Sequence, residues 1–144
     1  MRTAAYILIL ASLLMAPVKR LNVAHLEPVE VIQLYAEGNT VCLRTDTGAM
    51  GRGGSVLAAL KDMEASTAGV IYLKTAEYLL VEKETIQYIN DLRGKLNRKI
   101  RVCATENADI KVAAEYLETH GKLPRLRDWE PGEMLPIWDG KKIY

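Results

Sequence analysis

The chain has 144 residues, 49% of them hydrophobic, and its 19 Lys and Arg against 18 Asp and Glu give a formal charge of +1. That length suits a single domain, and so even a charge balance exerts no general pull on a polyanion, so no nucleic-acid partner is expected. The two cysteines and two histidines fall in no metal-ligand spacing, so neither a metal nor a cofactor is expected.

The N-terminus differs from the rest. Arg2 precedes sixteen uncharged residues, Thr3 to Val18, and Lys19 and Arg20 follow. As a helix the run measures roughly 24 Å, short of a bilayer core of about 30 Å. Leu21 and Val23 extend it, with the Lys19 and Arg20 side chains reaching toward the interface. A signal-peptidase cut after Ala16 would put Leu14 where a small residue belongs and Pro17 directly after the cut. A retained anchor over 1–21 is therefore favoured over a removed signal peptide or a buried core helix. Positive charge sits on both flanks and does not orient the segment. Its signal-like start favours a short cytoplasmic N-terminus and an extracytoplasmic domain.

A compact α/β unit is expected over 22–121. In "VEVIQLYAEGNTVCLRTDT" two β-rich runs flank Glu37-Gly38-Asn39, which predicts a hairpin. Four glycines follow within seven residues, in "GAMGRGGS". Its spacing matches a phosphate loop, but Gly54 stands where the phosphate-binding lysine belongs. Gly51-x-Gly53 is followed at the third position by Val56, which weakens a dinucleotide reading. The glycines are expected to permit positive φ at a tight link from strand to helix. Gly51, Gly53, Gly54 and Ser55 remain the candidate ligand-binding residues, because free N–H groups at a helix start attract anions.

The helix itself has Val56, Ala59, Leu60 and Met63 on one face, Ser55 as its N-cap and Gly69 as its stop. Lys61, Asp62 and Glu64 point away as a solvated face. "GVIYLKTAEYLLVE" supplies two short apolar runs with a bend near Lys74-Thr75, typical of a strand covered on both faces. "ETIQYINDLRGKL" predicts a second helix with Thr85 as cap. "KIRVCATE" alternates as a strand. "NADIKVAAEYLETHG" predicts a third helix, capped by Asn107, stopped by Gly121, with Ile110, Ala113, Ala114 and Leu117 inward. The order is β-β-α-β-α-β-α, a mixed sheet flanked by helices. Residues 122–144 read as an extended arm, with turns at Pro131-Gly132 and Asp139-Gly140 and with Trp129 and Trp138 as packing anchors or, in the other reading, partner-binding side chains.

Chemical groups are sparse. The basic run "RGKLNRKIR" reads as a solvated helix end and loop, with a nucleic-acid or lipid patch as the other reading. His120 closes the third helix, where a cation suits the dipole, and His25 stands in no motif. Cys42 shares its strand face with Thr40 and Arg44, and Cys103 with Arg101 and Thr105. A disulfide between them requires their strands to be neighbours; two unlinked thiols are the other reading. No catalytic residue is assigned, and no enzyme is expected.

The run from Gly51 to Ile89, "GRGGSVLAALKDMEASTAGVIYLKTAEYLLVEKETIQYI", together with "KIRVCATENADIKVAAEYL", resembles the N-terminal domain of the Ger(x)C family, the membrane-associated C subunits of spore germinant receptors. The likeness spans roughly residues 28 to 121. It implies a membrane-bound interaction module with protein partners in a sporulation or spore-germination assembly, and carries over no catalytic residues. The chain departs from the family pattern in having no cysteine before Cys42 and no further domain after the first. A small-ligand or anion-binding domain using the glycine-rich helix start is the second expectation.

Overall fold

A computed structural model of the chain describes residues 6–7, 26–106 and 109–144. The expected anchor over 1–21, apart from Tyr6 and Ile7, and the expected cap Asn107 lie outside the described residues. Among the described residues no helix is long and apolar enough to cross a membrane.

The fold is mixed α/β around a six-stranded sheet. Its strands are β2 (Val31–Glu37), β3 (Thr40–Thr45), β4 (Met50–Gly53), β6 (Tyr78–Glu82), β7 (Arg101–Thr105) and β8 (Ile137–Trp138), in the order β4-β3-β2-β6-β7-β8. Strands β2, β6, β7 and β8 run parallel, and β3 and β4 add an antiparallel meander at one edge. The predicted hairpin forms, with Gly38 at φ 62° in its turn, a left-handed conformation that glycine adopts without a Cβ penalty. A separate parallel pair joins β1 (Leu26–Pro28) to β5 (Val70–Tyr72).

Strand alternation divides the core between the two sheet faces. On one face Ile32, Leu34, Val41, Leu43, Leu79 and Val102 meet α1 (Val56–Ser66) and the short α2 (Ile89–Leu92). On the other, Val31, Tyr78, Leu80 and Cys103 meet α3 (Ile110–His120). Val56, Ala59, Leu60 and Met63 of α1 are all buried, as their spacing predicts, and so are Ile110, Ala113 and Leu117 of α3. Ala114 is half-buried.

Several expectations give way. The glycine-rich stretch is not a loop but contains β4, so three strands of the main sheet precede α1. The run before β6 does not form one strand of the main sheet: β5 leaves to pair with β1, and a 3-10 turn at Leu73–Thr75 makes the bend. Helix α1 stops at Ser66 with Thr67, not Gly69, as its C-cap; the Ser66 and Thr67 hydroxyls donate back to the Asp62 and Met63 carbonyls at 2.7 and 2.8 Å. Such local hydrogen bonds let the chain leave the helix early. The predicted second helix is mostly a 3-10 segment, Lys83–Tyr88, before the single turn of α2. Thr85 does not cap it. Its buried hydroxyl donates to Leu34 O at 3.0 Å and to Glu82 O at 2.9 Å, tying this segment to β2. Asp109 is the N-cap of α3, accepting from the Lys111 N–H at 2.9 Å.

The C-terminal stretch is tied to the sheet. The Val102 N–H donates to Pro124 O at 2.9 Å and the Ala104 N–H to Pro136 O at 2.8 Å, so the stretch closes the outer edge of β7. Its last part supplies β8, and Trp129 and Trp138 are buried as anchors. Turns form at both predicted places, with Gly132 and Gly140 at positive φ.

Candidate functional site

The glycine-rich helix start offers less room than its sequence suggests. Gly51 and Gly53 do not adopt positive φ; in this stretch only Gly48 does, at 94°. Their lack of a side chain serves packing instead. A β-carbon on Gly51 would lie 2.0 Å from Ala59 O, and one on Gly53 would lie 2.6 Å from the Ala58 β-carbon. Helix α1 folds straight back over β4 and fills the space a ligand on that face would need. Gly54 is unobstructed, and the Ser55 hydroxyl already accepts the Ala58 N–H at 3.2 Å, the predicted N-cap. Asp62, read in the sequence as solvated, accepts the Arg52 N–H at 2.8 Å and so secures the outer edge of β4.

The opposite side of the same three strands is different. Helix α3 packs on Val31 of β2 and on Tyr78, Leu80, Cys103 and Trp138 of the β6–β8 half; among the described residues no helix lies over β3 and β4 on this face. Register places Gln33 beside Arg44, Tyr35 beside Cys42, and Cys42 beside Arg52 on β2 to β4. The Arg44 Nε donates to the buried Gln33 Oε1 at 2.6 Å, and its guanidinium lies 5.4 Å from the Tyr35 ring centroid, within cation–π range. Arg52 pairs with Glu37 at 3.4 Å, both about half exposed. Met50 is exposed beside them. The tyrosine is held above its ordinary pKa chiefly by burial, reinforced by Cys42 and Glu37. Sequence reading missed this face because its residues are spread over three strands and carry no motif.

Cys42 and Cys103 are both buried and unlinked. Strands β2 and β6 lie between β3 and β7, which at about 4.8 Å per strand leaves the thiols on the order of 14 Å apart, beyond disulfide reach. Burial raises both thiols, that of Cys103 to about 12, so each stays protonated near neutrality and is a poor nucleophile. The Cys103 thiol donates to Pro136 O at 3.2 Å, a contact that helps hold β8 in place. His120 ends α3 as expected, stacked on Tyr116 with centroids 4.4 Å apart.

Fold and sheet order define a mixed α/β domain with a polar patch over β2 to β4. Comparison with known protein families, with characterised proteins and with solved structures finds no match for the chain.

Proposed function

We propose that this chain is a membrane-anchored interaction module, held by its N-terminal apolar segment with the α/β domain on the extracytoplasmic side, and without a catalytic role of its own. The observation that carries the interaction role is a patch of interface-type side chains on β2 to β4, over whose β3 and β4 part no described helix lies. A surface of Tyr35, Arg44, Arg52, Glu37 and Met50 is presented on three rigid strands. Tyrosine, arginine and methionine are the side chains that protein interfaces favour, and a sheet holds them with little ordering left to do on binding. The uncharged run from Thr3 to Val18 supports the anchor. The sporulation or spore-germination setting rests on the resemblance across residues 28 to 121.

Photo-crosslinking in intact membranes tests the interaction role. A photoreactive residue in place of Tyr35 is expected to give one discrete protein adduct, and one in place of exposed Lys61, on the other side of the sheet, none. Equal labelling from both positions, or none from either, contradicts the proposal.

A further inference from the structure

The fold joins the basic run at 93–101 to cations from two other segments of the chain. At the N-terminal edge of β6 and β7 lies a cleft of about 820 Å³, lined by Tyr72, Lys74, Asn97, Arg98, Lys99 and Arg127 among others. Adjoining it is a second cleft of about 430 Å³, where Lys74 and Lys99 recur beside Arg101 and Arg125, with Glu77 as the carboxylate on its lining. The cations come from three distant segments that the backbone clamps together. The Leu126 N–H donates to Ile100 O at 2.7 Å and the Arg127 N–H to Arg98 O at 3.1 Å. Arg101 and Arg125 face each other directly across an antiparallel bridge.

Like charges placed directly opposite on paired strands destabilise the pairing. Arg101 donates from Nη1 to the Tyr78 hydroxyl at 3.2 Å with its guanidinium 5.5 Å from that ring's centroid, and Glu77 is the one carboxylate on the lining. Among the described residues, ion pairs within 4.0 Å join Arg52 to Glu37, Lys83 to Glu106 and Arg127 to Asp128, and none involves Lys74, Arg98, Lys99, Arg101 or Arg125. A concave surface on which five cations without a close ion pair face a single carboxylate fits an anion supplied from outside the chain.

We propose that this cleft binds the phosphate headgroups of an anionic lipid surface, the same membrane that holds the N-terminal segment; the inference rests on the anchored reading above. Geometry favours a lipid surface over other phosphates. Leu26, which follows the apolar segment and Lys19 and Arg20 by a few residues, pairs with Val70, and Pro28 pairs with Tyr72. The Thr75 hydroxyl, next to Lys74, accepts the Val29 N–H at 3.0 Å. The chain therefore enters the domain at the rim of the basic cleft, and Val70 and Tyr72 on that rim are themselves exposed. A domain tethered there presents the cleft to the membrane, where each Lys or Arg strengthens attachment about fivefold.

The test uses the full-length chain in nanodiscs of phosphatidylcholine, or of phosphatidylcholine with part replaced by phosphatidylglycerol. Hydrogen exchange is read at the amides of 98–101 and 125–127. The expected result is protection rising at least about tenfold in the anionic discs only, and vanishing at high salt. The variant Lys74→Gln/Arg98→Gln/Arg125→Gln should lose it, with docking roughly a hundredfold weaker by the same per-cation factor. Because these side chains are exposed and two of the changes relieve like-charge crowding, its melting temperature should match or exceed the parent's. Equal exchange in both disc types overturns the proposal. So does equal protection in phosphatidylcholine discs given inorganic phosphate or a single-stranded oligonucleotide, which would identify a soluble phosphate or nucleic acid as the occupant. Retention of the chain by phosphatidylcholine discs is read separately: its loss counts against the anchor, not against the cleft.

Discussion

Gly51 lies so close beneath Ala59 that a β-carbon there would come within 2.0 Å of the Ala59 carbonyl oxygen. This contact explains the glycine-rich stretch: the residues make room for α1 to double back over β4.

Gly51→Ala should therefore destabilise the fold by about 3 kcal/mol or more, because the obstacle is backbone and overpacking cannot be relieved by a rotamer change. Gly54→Ala, with open space around it and no positive φ, should fall within about 0.5 kcal/mol of the parent. Urea midpoints of the two variants decide the matter; equal midpoints would mean that α1 does not press on β4.

Arg93 stitches the C-terminal stretch to the core. Its Nη1 donates to Leu126 O at 3.0 Å, its Nη2 to Trp129 O at 2.6 Å and its Nε to Asn90 Oδ1 at 2.8 Å. Arg93→Ala should remove roughly 2 kcal/mol, the scale of charge-assisted hydrogen bonds to partly buried carbonyls, and shift Trp129 emission to the red. Unchanged emission would show that the stretch is held without it.

How much could be read in the sequence depends on the range of the signal. The hairpin, the α1 and α3 core faces and the Ser55 cap were legible because each rests on residues a few positions apart. Residues 83–92 carry helical spacing, yet the Thr85 hydroxyl is drawn to Leu34 O, a partner 51 residues away, and the segment winds mostly as a 3-10 helix. Strand β4 was hidden because glycine is a poor strand former on its own; its pairing with β3 and the cover of α1 supply what propensity lacks. The patch on β2 to β4 is spread over three strands and leaves no motif; the basic cleft is half legible, because its 93–101 run is continuous while Lys74 and Arg125 reach it only through the fold.

The Cys103 thiol, held at about 12 by burial, should resist alkylation at pH 8 in the native protein and react once the chain is unfolded. Cys42, also raised by burial, should behave alike. Rapid native labelling of Cys103, followed by mass spectrometry of its peptide, would show that β8 opens away from β7.

The last turn carries a pH dependence of its own. Asp139 accepts a hydrogen bond from the Tyr144 hydroxyl at 2.5 Å and from the N–H groups of Lys142 and Lys141 at 2.8 Å each, and is held at about 2 by the Tyr144 contact first and these N–H groups next. A folded-state pKa below the ordinary carboxylate range means that this support is complete above that range and is lost as pH falls toward about 2. Carboxyl and Tyr144 ring signals followed by NMR should titrate together near that value. In Asp139→Asn the low-pH transition of the Tyr144 ring should be absent; its persistence would assign the transition to another group.

The central proposal is attachment to a membrane through the N-terminal segment. The most direct measurement is fractionation of the tagged full-length chain from growing and sporulating cells, with alkaline carbonate washing of the membranes. Retention in the washed membranes, rising in sporulating cells, is the predicted result. Release of the chain into the soluble fraction by carbonate, with no change on sporulation, would contradict both the anchor and the germination setting.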